Sequence, residues 1–391
     1  MFSERTNWKL AQNWFTQALE EVRGRGVKIL DLTVSNPTRV GLHYDEQAIL
    51  GALASPRALD YDPQSKGLRE ARQAMAAYYR EEHEVRDLDA EQIILTTSTS
   101  EGYSFVFRLL CNAGDELLVP KPSYPLFEFL ADLQDVKLVP YELIYDHGWQ
   151  MDFPSMQKAA TARTRGVVVV HPNNPTGSYV QGGEVETLNS FCREQGLAVI
   201  ADEVFLDYAL GTTKHASFAG NREVLTFTLS GLSKVTALPQ MKVAWVVTSG
   251  PSEKSAEAMA RLEIISDTYL SMNAPLQWAT PALLAQRKRI QAQLLERVKE
   301  NLAELDRQLA AQAVCQRLSV EGGWYAVLRV PVTRSDEELA IELVREKRVL
   351  VHPGHFYDFP KDGYLVLSLI TPQREFAEGM SGVLGKLSSQ S

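Results

Sequence analysis

The sequence predicts an α/β protein with a large domain built on a mostly parallel seven-stranded sheet and a smaller α+β domain. Three observations predict this. Between about residues 45 and 280, short apolar segments alternate with helical ones, which is typical of a parallel sheet covered on both faces. Residues 281–313 then form one long helical stretch, which indicates a bridge between domains, and an α+β pattern follows it. The length of 391 residues allows two or three domains.

Local patterns place the elements in order along the chain. Residues 5–24 predict an amphipathic helix, since apolar residues recur there at near-helical spacing: Trp8, Leu10, Trp14, Phe15, Ala18 and Leu19. The strand-like segment VKILDL (27–32) follows, and SNPT (35–38) interrupts regular structure. The seven strands of the sheet are predicted at QIILTT (92–97), DELLV (115–119), VKLVPY (136–141), GVVVV (166–170), LAVIAD (197–202), VLTFTL (224–229) and VAWVV (243–247). Later strands are predicted within LSVEGGWYAVLRV (318–330), VLVHP (349–353) and YLVLSLI (364–370).

We therefore expect a large domain at residues 46–280 and a small domain made of residues 1–45 and 281–391. The formal net charge of -9 argues against a nucleic-acid partner, because the chain has no basic excess to meet a phosphate backbone. The first ten residues carry charges where a signal peptide would be apolar, and no apolar run is long enough to span a membrane. We expect a cytoplasmic enzyme with no membrane partner.

Cysteine and histidine do not form recognisable site patterns in this sequence. Cys111, Cys192 and Cys315 are too few and too widely spaced for a disulfide framework or a zinc site. His352 and His355 flank a Pro-Gly pair, which turn chemistry explains better than metal ligation. We predict no metal site.

Polar residues cluster at the ends of four predicted strands. Asn174 follows GVVVV, Asp202 ends LAVIAD, and Ser230, Ser233 and Lys234 follow VLTFTL. Ser98, Thr99 and Ser100 follow QIILTT and open a helix. Because ligands of such sheets bind at the carboxyl ends of the strands, this recurrence predicts one site.

Each of these residues has a plausible role around a single phosphorylated pyridine cofactor. A helix N-terminus with hydroxyl groups binds a phosphate, which suits Ser98, Thr99 and Ser100. A buried Asp202 can hold a pyridinium nitrogen, and Asn174 can donate to a phenolic oxygen. Tyr124 can stack on the ring. A partly desolvated lysine loses its proton easily and becomes a Schiff-base nucleophile, which suits Lys234.

Five segments in order, GDELLVPKPSYP, HPNNPTG, ADEVF, SGLSK and the VAWVV strand, together with YDPQSKGLREA near the start, cover nearly the whole chain. In this order and spacing the chain resembles the class I/II aminotransferases of the aspartate-aminotransferase fold family. The resemblance implies pyridoxal 5′-phosphate (PLP) as cofactor, fold type I of the PLP-dependent transferases, and a homodimer with composite sites.

The resemblance also implies individual roles. Lys234 would hold the cofactor as a Schiff base and shuttle a proton, Asp202 would pair with the ring nitrogen, Asn174 with the phenolic oxygen and Tyr124 with the ring face. Thr99 and Ser100, and less directly Ser98, would bind the phosphate, and Tyr61 would reach the phosphate of the neighbouring subunit. Structural alternatives exist: Asp202 as a helix cap, Tyr124 as turn packing, Tyr61 as a surface aromatic.

The sequence departs from the family pattern at several positions. Lys242 stands where an arginine usually grips the phosphate, and lysine supplies the charge without the bidentate fork. Gly231 replaces a frequent serine, so that Ser230 or Ser233 must supply any hydroxyl there. Phe205 replaces a tyrosine and removes a donor to the phenolic oxygen. Ser98 stands where glycine is common.

The most consequential departure concerns the arginine that binds the substrate's α-carboxylate. Alignment of YLVLS with that strand puts Val366 at its position. Either another cation substitutes, with Arg39 as first candidate and Arg329 as second, or the substrate presents no α-carboxylate there.

The resulting hypothesis is a PLP-dependent aminotransferase that moves an amino group between an amino acid or other amine and a 2-oxo acid, in a biosynthetic role. Two alternatives stay open at this point. One is another PLP reaction on the same scaffold, such as a β-lyase or racemase. The other is a non-catalytic PLP-binding sensor, which the lack of any additional DNA-binding segment disfavours.

Overall fold

The computed structural model describes residues 1–8, 13–270 and 272–389. Its α-helices are α1 (Trp14–Gly24), α2 (Glu46–Leu53), α3 (Arg69–Glu82), α4 (Thr99–Leu110), α5 (Leu126–Leu133), α6 (Phe153–Ala159), α7 (Gly182–Gln195), α8 (Leu232–Val235), α9 (Ser252–Tyr269), α10 (Ala274–Ala285), α11 (Arg287–Ala310), α12 (Asp336–Glu342) and α13 (Gln373–Ser388). Its strands are β1 (Leu30–Asp31), β2 (Ile93–Thr96), β3 (Glu116–Lys121), β4 (Lys137–Tyr145), β5 (Trp149–Met151), β6 (Thr164–Val170), β7 (Ala198–Asp202), β8 (Thr226–Gly231), β9 (Ala244–Ser249), β10 (Gln316–Arg317), β11 (Tyr325–Arg329), β12 (Val349–Leu350), β13 (His352–Pro353) and β14 (Tyr364–Ser368).

The large sheet contains all seven predicted strands and one more. Its order is β2-β9-β8-β7-β6-β3-β4-β5, and the central pairs from β8 to β4 are parallel. The unpredicted strand β5 pairs antiparallel with the end of β4, so that the sheet has eight strands instead of seven. With only three residues, β5 is too short to give a periodic signal in the sequence.

The strand directions bring the predicted site residues to one edge of the sheet. Strands β6, β7 and β8 run parallel and end at Val170, Asp202 and Gly231. Strand β9 is antiparallel to both β8 and β2, so that β2 runs in the same direction as β8 and ends at the same edge. Helix α4 begins directly beyond β2, which places its N-terminus beside the ends of the parallel strands.

Both ends of the chain contribute to a common hydrophobic core. Strand β1 pairs in parallel with β12, and Phe15 and Val22 of α1 belong to the same buried cluster as Val327 and Leu367 of the sheet β10-β11-β14-β13. The helices and strands of the middle region bury three further clusters. The proposed domain boundaries at residues 45/46 and 280/281 stay a prediction.

Two predicted helices differ from the structure. The helix expected at residues 5–24 begins only at Trp14, since the Asn13 side chain accepts a hydrogen bond from the Thr16 N–H at 2.8 Å and caps it. Trp8 precedes this helix and its Nε1 donates to Asp132; Leu10 lies outside the described residues. The single helix expected at residues 281–313 is two helices, α10 and α11, which meet at Gln286.

Across the residues described, no helix has both the length and the apolar character needed to cross a bilayer.

Candidate active site

A cavity of about 270 Å³ lies at the carboxyl edge of the large sheet. Its lining includes a set of residues predicted from the sequence, which come from several elements and turns: Thr99, Tyr124, Asn174, Asp202, Phe205, Ser233 and Lys234. The remaining walls include Tyr325, His352 and Tyr357 from the C-terminal part of the chain. Residues separated by more than 200 positions therefore meet around one space.

Lys234 lies on the short helix α8, directly after strand β8, and is partly buried. Burial lowers the pKa of its ammonium group to about 8, and the nearby Asp202 carboxylate opposes this shift. The Nζ atom lies 4.5 Å from the ring centroid of Trp324 and 5.3 Å from that of Phe205. A lysine in such apolar surroundings is more easily deprotonated, which makes it available as a nucleophile and base near neutral pH.

Asp202 ends strand β7 with both of its carboxylate oxygens hydrogen-bonded. The Tyr103 hydroxyl donates to Oδ2 at 2.9 Å and the Val204 N–H donates to Oδ1 at 3.1 Å. Burial raises the pKa of Asp202, while these hydrogen bonds and Lys234 oppose the shift. A fixed buried carboxylate with a raised pKa is suited to share a proton with a ring nitrogen.

Asn174 presents an amide oxygen that has no hydrogen-bond partner among the described residues, although the residue is only 9% exposed. Its neighbour Asn173 is different, because its amide nitrogen donates to the Pro122 carbonyl and to Thr176 Oγ1. A buried polar atom without a partner costs about 1–3 kcal/mol, and in a cavity wall it indicates a ligand that completes the hydrogen bond.

The N-terminus of α4 meets the cavity at Thr99. Ser98 is the N-cap of this helix, and its Oγ accepts a hydrogen bond from the Glu101 N–H at 3.1 Å. Ser100 occupies the next position after Thr99 in the first turn. Thr99 and Ser233 thus bring hydroxyl groups to the cavity beside a helix N-terminus, which is a suitable arrangement for a phosphate.

Close packing explains why residue 231 is a glycine and not the serine that is frequent in the family. A Cβ atom at this position would lie 3.0 Å from both the Val243 carbonyl oxygen and the Ala244 Cβ of the neighbouring chain segment. Ser230, in contrast, is 1% exposed within β8 and does not line the cavity. Of the two candidate hydroxyls flanking Gly231, the structure therefore brings Ser233 to the cavity.

Lys242 and Tyr61, like Ser230, lie outside the cavity lining within one chain. Lys242 is exposed and has a left-handed backbone conformation with φ of 50°. Tyr61 is 84% exposed and lines a separate hollow with Gln64 and Leu270. Its assignment to a neighbouring subunit stays a proposal.

Sequence reasoning did not select Tyr103, Trp324, Tyr325 or Tyr357 for the site. Tyr103 carried a usable signal, because it lies four positions after Thr99 and therefore on the same face of α4. The other three depend on how the C-terminal sheet packs against the large one, which no local pattern reveals. His352 and Tyr357 belong to the segment HPGHFYDF, and His352 Nδ1 lies 3.0 Å from the Tyr357 hydroxyl.

Comparison with known proteins agrees with this geometry. The family model of aminotransferase class I and II matches residues 28–373. The chain belongs to the class I and II aminotransferases. The resemblance seen in the sequence is thereby confirmed, and this aminotransferase uses PLP, as the enzymes of its family do.

Curated relatives and solved structures give the same result. Glutamate–pyruvate aminotransferase AlaA of Haemophilus influenzae is 28% identical over 358 residues, which cover 88% of this aminotransferase and 87% of the relative. S-alkyl-thiohydroximate lyase SUR1 of Arabidopsis thaliana is 24% identical over 325 residues, with coverage of 79% and 69%. The structure of an alanine aminotransferase from Pyrococcus furiosus covers the full length of both chains with a TM-score of 0.91 at 23% identity, which confirms the fold.

The cavity of this aminotransferase fits PLP on two structural observations. The Asn174 amide, whose oxygen has no partner among the described residues, and the paired Asp202 carboxylate stand in the same lining as Lys234. The amide nitrogen of Asn174 is the atom that can donate to the cofactor's phenolic oxygen. The helix N-terminus at Thr99 opens onto the same space. An amine, an acid, an amide and an anion site are the groups that the cofactor's aldehyde, ring nitrogen, phenolic oxygen and phosphate require.

Proposed function

We propose that this aminotransferase moves an amino group between an amino acid or other amine and a 2-oxo acid, with Lys234 as the covalent attachment point and proton carrier. The observation that supports the proposal best is that one cavity holds Lys234, whose pKa is lowered to about 8, and Asp202, whose pKa is raised. A lysine that exchanges its proton near neutral pH can take the proton from the carbon that bears the substrate's amino group and return it elsewhere.

The other roles follow from position in the cavity. PLP, when bound, supplies the electron sink that makes this proton removable. We assign Asp202 to the ring nitrogen, Asn174 to the phenolic oxygen and Tyr124 to the ring face. For the phosphate we assign Thr99, Ser100 and Ser233, with Ser98 acting as the cap that fixes the helix N-terminus. Phe205 supplies an apolar edge beside Lys234 and excludes water.

We further propose a cytoplasmic homodimer in which Tyr61 and Lys242 contribute to phosphate binding in the assembled protein. The strong exposure of Tyr61, at 84%, supports a contact outside its own chain. Exposed tyrosines are enriched at protein interfaces because they combine a large apolar area with a polar end. A biosynthetic role and the two-domain division at residues 46–280 belong to the same proposal.

A β-lyase reaction is the second candidate, because one relative is named as a lyase that acts on an S-alkyl-thiohydroximate. Incubation of the purified holoenzyme with amino donors in the absence of a 2-oxo acid tests both candidates. An aminotransferase leaves the cofactor in its aminated form with one equivalent of oxo product, whereas a lyase acting on a β-substituted donor releases pyruvate over many turnovers. A protein that changes no donor at all would be a sensor and would refute the proposal.

A further inference from the structure

The cavity contains very few formal charges. Among the described residues of its lining, Lys234 is the one lysine or arginine and Asp202 is the one carboxylate. The proposed function assigns both of them to the cofactor. Within one chain, the described lining therefore offers the substrate no further formal charge.

The wall formed by Tyr325, His352 and Tyr357, here called the neutral wall, faces this space. Burial lowers the pKa of His352 to about 4, so that its imidazole is uncharged at pH 7. Burial also raises the pKa values of Tyr325 and Tyr357, which keeps both phenols protonated. The neutral wall thus offers hydroxyl and imidazole hydrogen bonds without a cation.

The arginines that the sequence offers as partners for a substrate carboxylate lie outside the cavity lining. Val366 is 1% exposed in β14 and pairs with Val327 and His352 of the adjacent strands. Arg329 lines a different hollow, where its guanidinium carbon lies 5.8 Å from the ring centroid of Tyr145. Arg39 is exposed and does not belong to the described lining.

We infer that the preferred amino donor is a primary amine whose reacting carbon bears no carboxylate, with the neutral wall contacting its uncharged substituent. A carboxylate that enters a partly desolvated site without a charge-assisted partner loses water contacts that neutral donors replace incompletely. This inference rests on the proposed function.

The transfer balances without a further reactant. The amine R–CH₂–NH₂ becomes the aldehyde R–CHO, and the 2-oxo acid gains the amino group and two electrons to become an amino acid. The 2-oxo acid meets the same neutral wall, so that we expect it to bind weakly, with a high KM.

Matched donor pairs test this inference in the unaltered holoenzyme. Phenylalanine is compared with 2-phenylethylamine, and serine with ethanolamine, by the rate at which each aminates the bound cofactor. We expect kcat/KM to be higher for the amine of each pair, by about tenfold. A ratio of one or less, or turnover of α-amino acids alone, overturns the inference and leaves the proposed function standing, whereas failure of every amino acid and amine tried refutes the proposed function as well.

A binding measurement gives a readout that does not depend on turnover. Calorimetric titration compares 3-phenylpropionate with the uncharged 3-phenylpropionamide, and we expect the amide to bind at least as tightly. Tighter binding of the carboxylate, by tenfold or more, contradicts the inference.

Substitutions of His352 and Arg39 then test which residues set the preference between amine and amino-acid donors. His352→Arg introduces a guanidinium at a partly exposed position of the wall, and we expect it to shift the donor ratio toward the amino acid by tenfold or more, whereas the control His352→Gln does not. If His352→Arg fails to fold, the donor ratio and the calorimetric titration of the unaltered holoenzyme still test the inference. Arg39→Ala should change the ratio by less than twofold; a tenfold loss of amino-acid activity alone would identify Arg39 as the carboxylate partner and overturn the inference.

Discussion

Lys234 and Asp202 both have pKa values shifted by the same physical cause. Burial disfavours the charged form of each, so that it lowers the pKa of the lysine and raises that of the aspartic acid, and their mutual attraction opposes both shifts. Hydrogen bonds from the Tyr103 hydroxyl and the Val204 N–H fix the orientation of the Asp202 carboxylate in the cavity wall. The pKa values of both groups are therefore shifted toward neutral pH. This favours proton transfer in catalysis but lowers the free energy of unfolding.

We predict that Lys234→Met stabilises the cofactor-free protein at pH 7. The ordinary lysine pKa of 10.5 is lowered to about 8 in the fold, so that the buried ammonium is unfavourable below pH 8 and the unfolded chain binds the extra proton between pH 8 and 10.5. The gain should be roughly 1–3 kcal/mol at pH 7 and should diminish as pH rises through this window.

Urea unfolding of both cofactor-free proteins at pH 7 and pH 9.5 measures the difference. A variant less stable than the wild type at pH 7 would contradict the desolvation argument.

Phe205 supports a second prediction. Its ring lies 5.3 Å from Lys234 Nζ and offers no hydrogen-bond donor to the cofactor's phenolic oxygen. The cofactor bound at Lys234 should therefore keep its proton to higher pH in the wild type than in Phe205→Tyr, because a hydrogen bond to a charged form favours that form. Spectral titration compares the two proteins, with the exposed Phe129→Tyr as control. An unchanged or reversed order would argue against the position assigned to Phe205.

Among the elements, the turn after β6 is held by its contact with the segment before β11. The Gly177 carbonyl accepts hydrogen bonds from the Glu321 N–H at 3.1 Å and the Gly322 N–H at 2.9 Å. Gly177 has a φ of 70°, and a Cβ there would overlap Val320 and the Gly322 carbonyl. This contact fixes Asn174, on the turn, relative to Trp324, which follows Gly322 and Gly323.

Two substitutions of Ser98 distinguish its role as the N-cap of helix α4 from a direct contact with the cofactor's phosphate. Ser98→Ala removes the hydrogen bond to the Glu101 N–H and should cost about 1 kcal/mol of unfolding free energy, with weaker retention of PLP. Ser98→Asn keeps a capping oxygen and should restore both properties.

Denaturant unfolding and equilibrium dialysis of the cofactor measure the two effects. Loss of PLP in Ser98→Asn with normal stability would mean that the serine hydroxyl contacts the phosphate directly.

At the scale of the whole molecule, we propose that a homodimer completes the phosphate site through Tyr61 of the neighbouring subunit. Tyr61→Phe should weaken PLP retention, since the hydroxyl would bond the phosphate of the neighbouring subunit. A charge-assisted hydrogen bond contributes about 1.5–3 kcal/mol, so that the dissociation constant should rise roughly ten- to a hundredfold.

Mixing Tyr61→Phe with Lys234→Ala provides the test of shared sites. A hybrid dimer contains one site with both substitutions and one site with neither, so that activity should return to a level neither parent has. A fully active monomer in sedimentation would refute the composite site.

The sequence alone predicted seven of the eight strands of the large sheet, the cofactor and the residues that we assign to the centre of the site. Strands such as GVVVV and LAVIAD are short and apolar throughout, and the polar residues at their ends must meet once the strands are parallel. This argument selected Asn174, Asp202 and Lys234 without coordinates, because apolar strands that alternate with helices indicate a parallel sheet. Ordered motifs along nearly the whole chain then indicated the family.

Only the tertiary structure decided which hydroxyl faces the cavity and what surrounds the substrate. Ser230 and Ser233 are equivalent in sequence, and the choice between them depends on packing between β8 and β9. The neutral wall forms because the C-terminal segments pack against the carboxyl edge of the large sheet. Its residues lie more than 100 positions after Asn174 and Asp202 in the sequence. Such contacts depend on the long-range packing of side chains whose local sequence pattern is that of any core residue, and so the composition of this part of the cavity lining could not be predicted from the sequence.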